Sequence, residues 1–252
     1  VDLGLKGKVA LVTGGARDIG REIAVQLAAE GATVAVNYLK SKADADATVA
    51  AIRQAGGQAT AYPADVADHE AVTAMVAAIV RDAGGLDVLV NNAGFLESRL
   101  FLETKPAEWR RQIDVGLYGV LNCCHAAAPR MAERGGGRIV NIVGDSARVG
   151  QPRLSITAAS RGGVISLGKT LARELGRSNI TINTLALGYV ETAHSDQAWL
   201  DANRDKILAF YPIRRLGRAA DVAPFVAYLA SAHAGWVTGQ TISVSGGYTT
   251  TG

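Results

Sequence analysis

The run Thr13-Gly-Gly-Ala-Arg-Asp-Ile-Gly20 follows a short apolar stretch and opens an amphipathic one. Glycines there let the backbone approach a pyrophosphate, and a helix beginning at that point offers free N–H groups and a positive dipole. The chemistry this predicts is dinucleotide binding; the plain alternative is a glycine-rich turn with no ligand. Other reactive side chains are sparse. Asp145 and Ser146 stand together after a β-branched run, and Tyr189 and His194 lie in a polar, aromatic stretch. For each, local hydrogen bonding or solvation is the simpler reading. Cys123 and Cys124 sit side by side in a helical pattern and read as buried packing rather than a redox pair. No His/Cys/Asp cluster has ligand spacing, so no metal site is predicted.

These residues need elements to position them. Val9–Val12, Thr33–Val36, Val88–Val90, Ile139–Val143 and Ile180–Leu185 are compact, rich in β-branched residues and bounded by Gly, Asn or Asp, as strands buried on both faces are. Between them run helical patterns over Ile19–Glu30, Lys42–Ala55, Glu70–Ala83, Pro106–Glu133 and Leu154–Gly176. Gly31, Gly56 and Gly84 fall just past helix ends, and Pro106 suits a first turn. A last strand is predicted over Thr241–Val244. Strand–helix alternation implies right-handed crossovers and an α/β, doubly wound parallel sheet with helices on both faces. Ligands then bind at the carboxyl ends of the strands.

The chain has 252 residues, 48% of them hydrophobic and 19% charged, which suits one domain with a sizeable core. A formal charge of +3 without a Lys/Arg cluster is far from a nucleic-acid footprint. Adjacent cysteines exclude a disulfide framework and favour a reducing compartment. No apolar run is long enough for a bilayer span, and the first residues lack a signal-peptide pattern, so a cytoplasmic protein is expected.

Thr13–Gly20, Asp65-Val66, Asn91-Asn92-Ala93-Gly94, Ala159-Ser-Arg-Gly-Gly-Val-Ile165 and Gly239-Gln-Thr-Ile-Ser-Val244 stand in an order that resembles the short-chain dehydrogenase/reductase (SDR) family along essentially the whole chain. The resemblance implies a single Rossmann-type domain over residues 1–252 with about seven strands, a substrate lid near 189–217, an NAD(P)(H) site and a tetramer. Carried over by position, it places Gly14, Arg17, Asp18, Ile19 and Gly20 at the phosphates and Asp65 and Val66 at the adenine. Asn91, Ala93 and Gly94 fall on the adenosine ribose side, and Gly188, Val190 and Thr192 near the nicotinamide. After the second strand, Asn37-Tyr-Leu-Lys-Ser41 offers no carboxylate for a ribose diol. Arg17, Lys40 and Ser41 suit a 2′-phosphate instead, favouring NADP(H) over NAD(H). Asp18 departs from the family's usual glycine and is repulsive toward phosphate. The family's Pro-Gly after the sixth strand reads Leu187-Gly188.

The family's Asn–Ser–Tyr–Lys proton relay falls on Gly116, Gly144, Thr157 and Arg161, so all four positions are changed. Arg161, one turn from Thr157, retains donors for ribose hydroxyls. Thr157 is a far weaker acid than a phenol, and Arg161 stays charged. Asp145, Ser146 and Tyr189 are the substitutes to weigh; Tyr118, two residues from Gly116, faces elsewhere on its helix. General acid–base catalysis is typically worth 10²–10⁴-fold, so the leading expectation is a non-catalytic subunit paired with an active SDR. The alternatives are an NAD(P)H-dependent carbonyl/alcohol oxidoreductase with a rebuilt relay, or a non-redox enzyme on this scaffold. Trp199, Phe210 and Tyr211 hint at an apolar ligand.

Overall fold

The computed structural model describes residues 1–250. Seven strands form one parallel sheet: β1 Val9–Val12, β2 Thr33–Tyr38, β3 Gln58–Pro63, β4 Val88–Asn91, β5 Gly137–Gly144, β6 Ile180–Leu187 and β7 Thr241–Val244. Their spatial order is β3-β2-β1-β4-β5-β6-β7. Leu11 of β1 therefore lies opposite Ala35 on one side and Leu89 on the other. The chain winds outward from β1 to β3, then returns to start β4 on β1's other edge. That reversal opens a crevice at the carboxyl ends of β1 and β4, where such sheets bind ligands.

Helices α1 Asp18–Ala29, α2 Lys42–Gln54 and α9 Ala219–Ala230 cover one face; α3 His69–Ala83, α5 Gly119–Glu133 and α7 Ser155–Leu175 cover the other. Strand side chains alternate between the two layers. Val34, Val36, Val88 and Val90 meet Ile23, Leu27 and Val226 on the first face. Leu11, Leu89, Ile139 and Ile182 meet Ile79, Cys123, Met131 and Val164 on the second. Every residue of β1 and β6 is buried, which is why their sequences are continuously apolar or neutral.

Four elements differ from the sequence expectation. β3 is an edge strand of which only Ala59 and Tyr62 are buried, so its pattern is too polar to resemble its neighbours. α9 carries Pro224 and is apolar nearly all round, which hides its period. The long helix predicted over Pro106–Glu133 is divided: α4 Pro106–Ile113 passes through one π-helical turn, Asp114–Tyr118, before α5 begins. Such turns relax the helical repeat and are frequent at functional sites. The stretch after β6 also contains a helix, α8 Gln197–Leu208, started by the Asp196 carboxylate accepting the Trp199 N–H.

Candidate active site

The glycine loop is built for close approach. A side chain at Gly20 would drive into the Gly14 carbonyl oxygen and come within 2.6 Å of Asn92 Nδ2. Gly14 itself has φ +60°, a left-handed conformation glycine adopts freely. Asn92 Nδ2 donates to the Thr13 and Gly14 carbonyls at 3.0 and 3.2 Å, and Thr13 Oγ1 accepts the Asn92 and Ala93 N–H groups. The loops after β1 and β4 are thereby stitched together. Thr13 and Asn92 matter here for support, a role their positions at strand ends signal only once the sheet order is known. No side chain caps α1, whose first N–H groups face the crevice from Arg17 onward. The cradle fits a pyrophosphate.

Asn37, expected at the cofactor, works beneath the loop. Its Oδ1 accepts the Gly14 N–H at 3.1 Å, and its Nδ2 donates to the Tyr62 and Ala64 carbonyls. Asn91 is likewise buried, donating to Asn141 Oδ1 at 2.9 Å between β4 and β5. Arg17 is half-exposed, Lys40 is exposed, and the Ser41 hydroxyl makes no cap bond to α2. These three remain available at the edge of the crevice. Lys42, by contrast, is turned onto its own helix, 2.6 Å from Asp46. Asp65 accepts the Ala67 N–H and pairs with Arg111 of α4 at 2.9 Å, beside the buried Val66.

Asp18 sits at φ +53°, in a conformation Asp tolerates better than most residues. Its carboxylate lies 2.9 Å from His194 Nδ1 and 3.7 Å from Arg17 Nε. The carboxylate expected to repel phosphate is thus bound to the His194 ring, with the Arg17 guanidinium nearby. His194, expected only as a candidate in a variable stretch, ties that stretch to the glycine loop. On the nicotinamide side, Val190 bridges Gly217, and the Thr192 N–H donates to Ser195 Oγ at 2.9 Å. A side chain at Gly188 would press within 3.0 Å of Ser245.

The four relay positions converge where β4, β5, the π turn and α7 meet. Arg161 Nη1 donates to the Ile142 carbonyl at 2.8 Å. Among the described residues its guanidinium has no carboxylate partner, and burial draws its pKa down to about 10, still charged at neutral pH. Gly94 makes room for it: a Cβ there would overlap Arg161 Nη2. Gly116 helps too, because a Cβ at 116 would lie 2.5 Å from Ser160 Oγ and 3.9 Å from Arg161 Nε. Thr157 is buried one turn before Arg161 on α7. At the end of β5, the position a Gly144 side chain would take has Ser146 Oγ 3.2 Å away. The short helix α6 Ser146–Val149 turns Ser146 back toward Gly144.

The remaining substitutes point elsewhere. Asp145 is buried and faces β7, accepting from Ser243 Oγ at 2.6 Å, while Arg148 donates to the same serine. The Tyr189 ring stacks on Trp199, and burial raises the pKa of its phenol, the wrong direction for a ready proton donor. Tyr118 is exposed. Cys123 and Cys124 are buried on α5, and burial pushes the Cys124 thiol up to about 12, consistent with packing. Among the described residues, no group of three His, Cys, Asp or Glu side chains could hold a metal, and no helix is long and apolar enough to cross a membrane.

A doubly wound parallel sheet with a glycine cradle at its switch point defines a Rossmann-type dinucleotide protein. A family model described as enoyl-(acyl carrier protein) reductase matches residues 14–249. The chain is 44% identical over 240 residues to 3-oxoacyl-[acyl-carrier-protein] reductase FabG of Staphylococcus aureus, covering 95% of this chain and 97% of that protein. It is 38% identical over 244 residues to 3-oxoacyl-[acyl-carrier-protein] reductase of Synechocystis, covering 96% and 97%. The crystal structure of a dehydrogenase/reductase from Sinorhizobium meliloti superposes with TM-score 0.91 at 35% identity, covering 99% of this chain and 98% of that one. The chain belongs to the short-chain dehydrogenase/reductase family.

These relatives overturn the leading expectation of a non-catalytic subunit beside an active partner. Whole-length similarity at this level is to proteins named as working reductases, and it favours the catalytic alternative. The expectation failed because it judged each relay position by its own side chain. The fold brings side chains from other positions to the same place, as Ser146 beside Gly144 shows.

Proposed function

We propose that this protein is an NADP(H)-dependent oxidoreductase that interconverts a carbonyl and an alcohol, using a proton relay that contains no phenol. The observation that carries the reading is an intact dinucleotide cradle beside Arg161, a guanidinium anchored on the Ile142 carbonyl and facing no carboxylate among the described residues. Arg17, Lys40 and Ser41 support NADP(H), since nothing in Asn37–Ser41 offers a carboxylate to a ribose diol. When bound, the reduced nicotinamide supplies a hydride.

The carbonyl carbon gains a C–H bond, the C=O π pair passes to oxygen, and that oxygen must receive one proton. Gly116, Gly144, Thr157 and Arg161 stand at the family's relay positions, so the proton has another route. Thr157 ends a ring's length short of where a phenol would reach, so on this reading a water carries the proton between its hydroxyl and the reacting oxygen. Arg161 holds positive charge beside that oxygen as negative charge develops. It donates hydrogen bonds only; the proton comes from solvent. The segment 189–217, with Trp199 and Phe210 exposed and Tyr211 buried beneath, forms the substrate lid. The names of the relatives support a 3-oxoacyl thioester as substrate class. The family resemblance supports a homotetramer.

The test is loss of NADPH absorbance on adding acetoacetyl-coenzyme A or a panel of ketones and aldehydes to the purified protein. Turnover with NADPH exceeding that with NADH is expected. No turnover with any acceptor would overturn the proposal.

A further inference from the structure

Ser146 combines three properties. Its side chain is buried at the mouth of β5. Its Oγ lies 3.2 Å from where a Cβ on Gly144 would sit, and no other group comes closer to that point. Among the described residues, that hydroxyl makes no hydrogen bond to the protein and its oxygen stays open to solvent, whereas one carboxylate oxygen of its neighbour Asp145 is held by Ser243. A serine at 144 would carry its own hydroxyl one bond from that Cβ, so Ser146 Oγ borders the space that hydroxyl would occupy. The reason is local: Asp145 enters α6 in a helical conformation, its N–H donating to the Leu187 carbonyl at 2.8 Å, and the chain doubles back at once. A hydroxyl that no protein group engages is free to donate to a ligand.

We propose that Ser146 is a catalytic residue that donates its hydroxyl hydrogen bond to the reacting oxygen, replacing from two positions along the side chain missing at Gly144. This deepens the oxidoreductase reading and rests on it. The bond strengthens as the carbonyl oxygen gains charge, so it acts on turnover more than on substrate binding.

Three forms decide the matter: wild type, Ser146→Ala, and Gly144→Ser combined with Ser146→Ala, assayed with NADPH and acetoacetyl-coenzyme A. The expected result for Ser146→Ala is a fall in kcat of about tenfold to hundredfold, with KM and NADPH affinity nearly unchanged. Restoring a hydroxyl at 144 should recover most of the lost kcat, an outcome that a merely structural serine would not give. If wild type turns over and Ser146→Ala matches it, the proposal is overturned while the oxidoreductase reading stands. If wild type shows no turnover, that reading fails, and calorimetric binding of acetoacetyl-coenzyme A to the NADP⁺-loaded protein decides instead. Weaker binding in Ser146→Ala supports the hydroxyl contact; equal binding excludes it.

Discussion

Arg161 illustrates how two glycines govern one cation. Its guanidinium occupies space that a side chain at Gly94 would take, and it reaches the Ile142 carbonyl across β5. Gly94→Ala should displace the head group and lower kcat at least about tenfold, since misplaced charge loses its effect on the developing oxyanion. Adding Arg161→Lys, whose ammonium is smaller, should recover part of that loss, and steady-state kinetics of the four combinations would show the coupling as non-additivity. At the other end of the crevice, Arg17 and Lys40 are the residues proposed to meet the 2′-phosphate. The pair Arg17→Ala and Lys40→Ala should weaken NADPH binding by about tenfold to hundredfold, as loss of charge-assisted hydrogen bonds does. NADH affinity should stay within about threefold, and fluorescence titration with both nucleotides checks the difference.

Among the elements, the π turn and α6 shape the site, while β3 and α3 show how burial sets a pH response. The Tyr62 phenol of β3 donates to Asp82 of α3 at 3.1 Å. Burial first, and then that bond, push its pKa up to about 12 from the ordinary 10.0. In the unfolded chain the phenol releases its proton near 10.0, while the folded chain holds it until about 12. Stability from this group is thus complete below the unfolded value and declines as pH rises between the two. Tyr62→Phe should remove that decline, leaving a shallower alkaline limb in denaturant midpoints, with a loss of about 1 kcal/mol at neutral pH from the missing hydrogen bond.

For the molecule as a whole, Asp18 and His194 join the glycine loop to the stretch after β6 across the crevice. One contact thus ties distant parts of the chain, and it would couple the proposed dinucleotide site to the proposed lid. Leu121 on α5 and Tyr118 beside it are exposed on an outer helical surface, of the kind that helix–helix assembly covers. Light scattering should give the mass of four chains; a monomer at micromolar concentration would contradict the proposed homotetramer.

Much of this was legible in the sequence. The apolar runs at Val9–Val12 and Ile180–Leu185 announce strands because both faces are buried and hydrophobicity is local information. Gly14 to Gly20 reads as a cradle because glycine spacing after a strand is also local. β3 was not legible, since its outer face meets solvent at the sheet edge, and neither was α9, whose apolar residues leave no period. At the site, the sequence set the residue types at Gly116, Gly144, Thr157 and Arg161, but side-chain identity at a position says nothing about who else reaches it. Tertiary structure alone decided that Asp145 turns to Ser243, that Tyr189 stacks on Trp199, and that Ser146 returns to Gly144. Those outcomes depend on backbone direction at a strand end and on contacts between segments far apart in the chain, which no window of residues encodes.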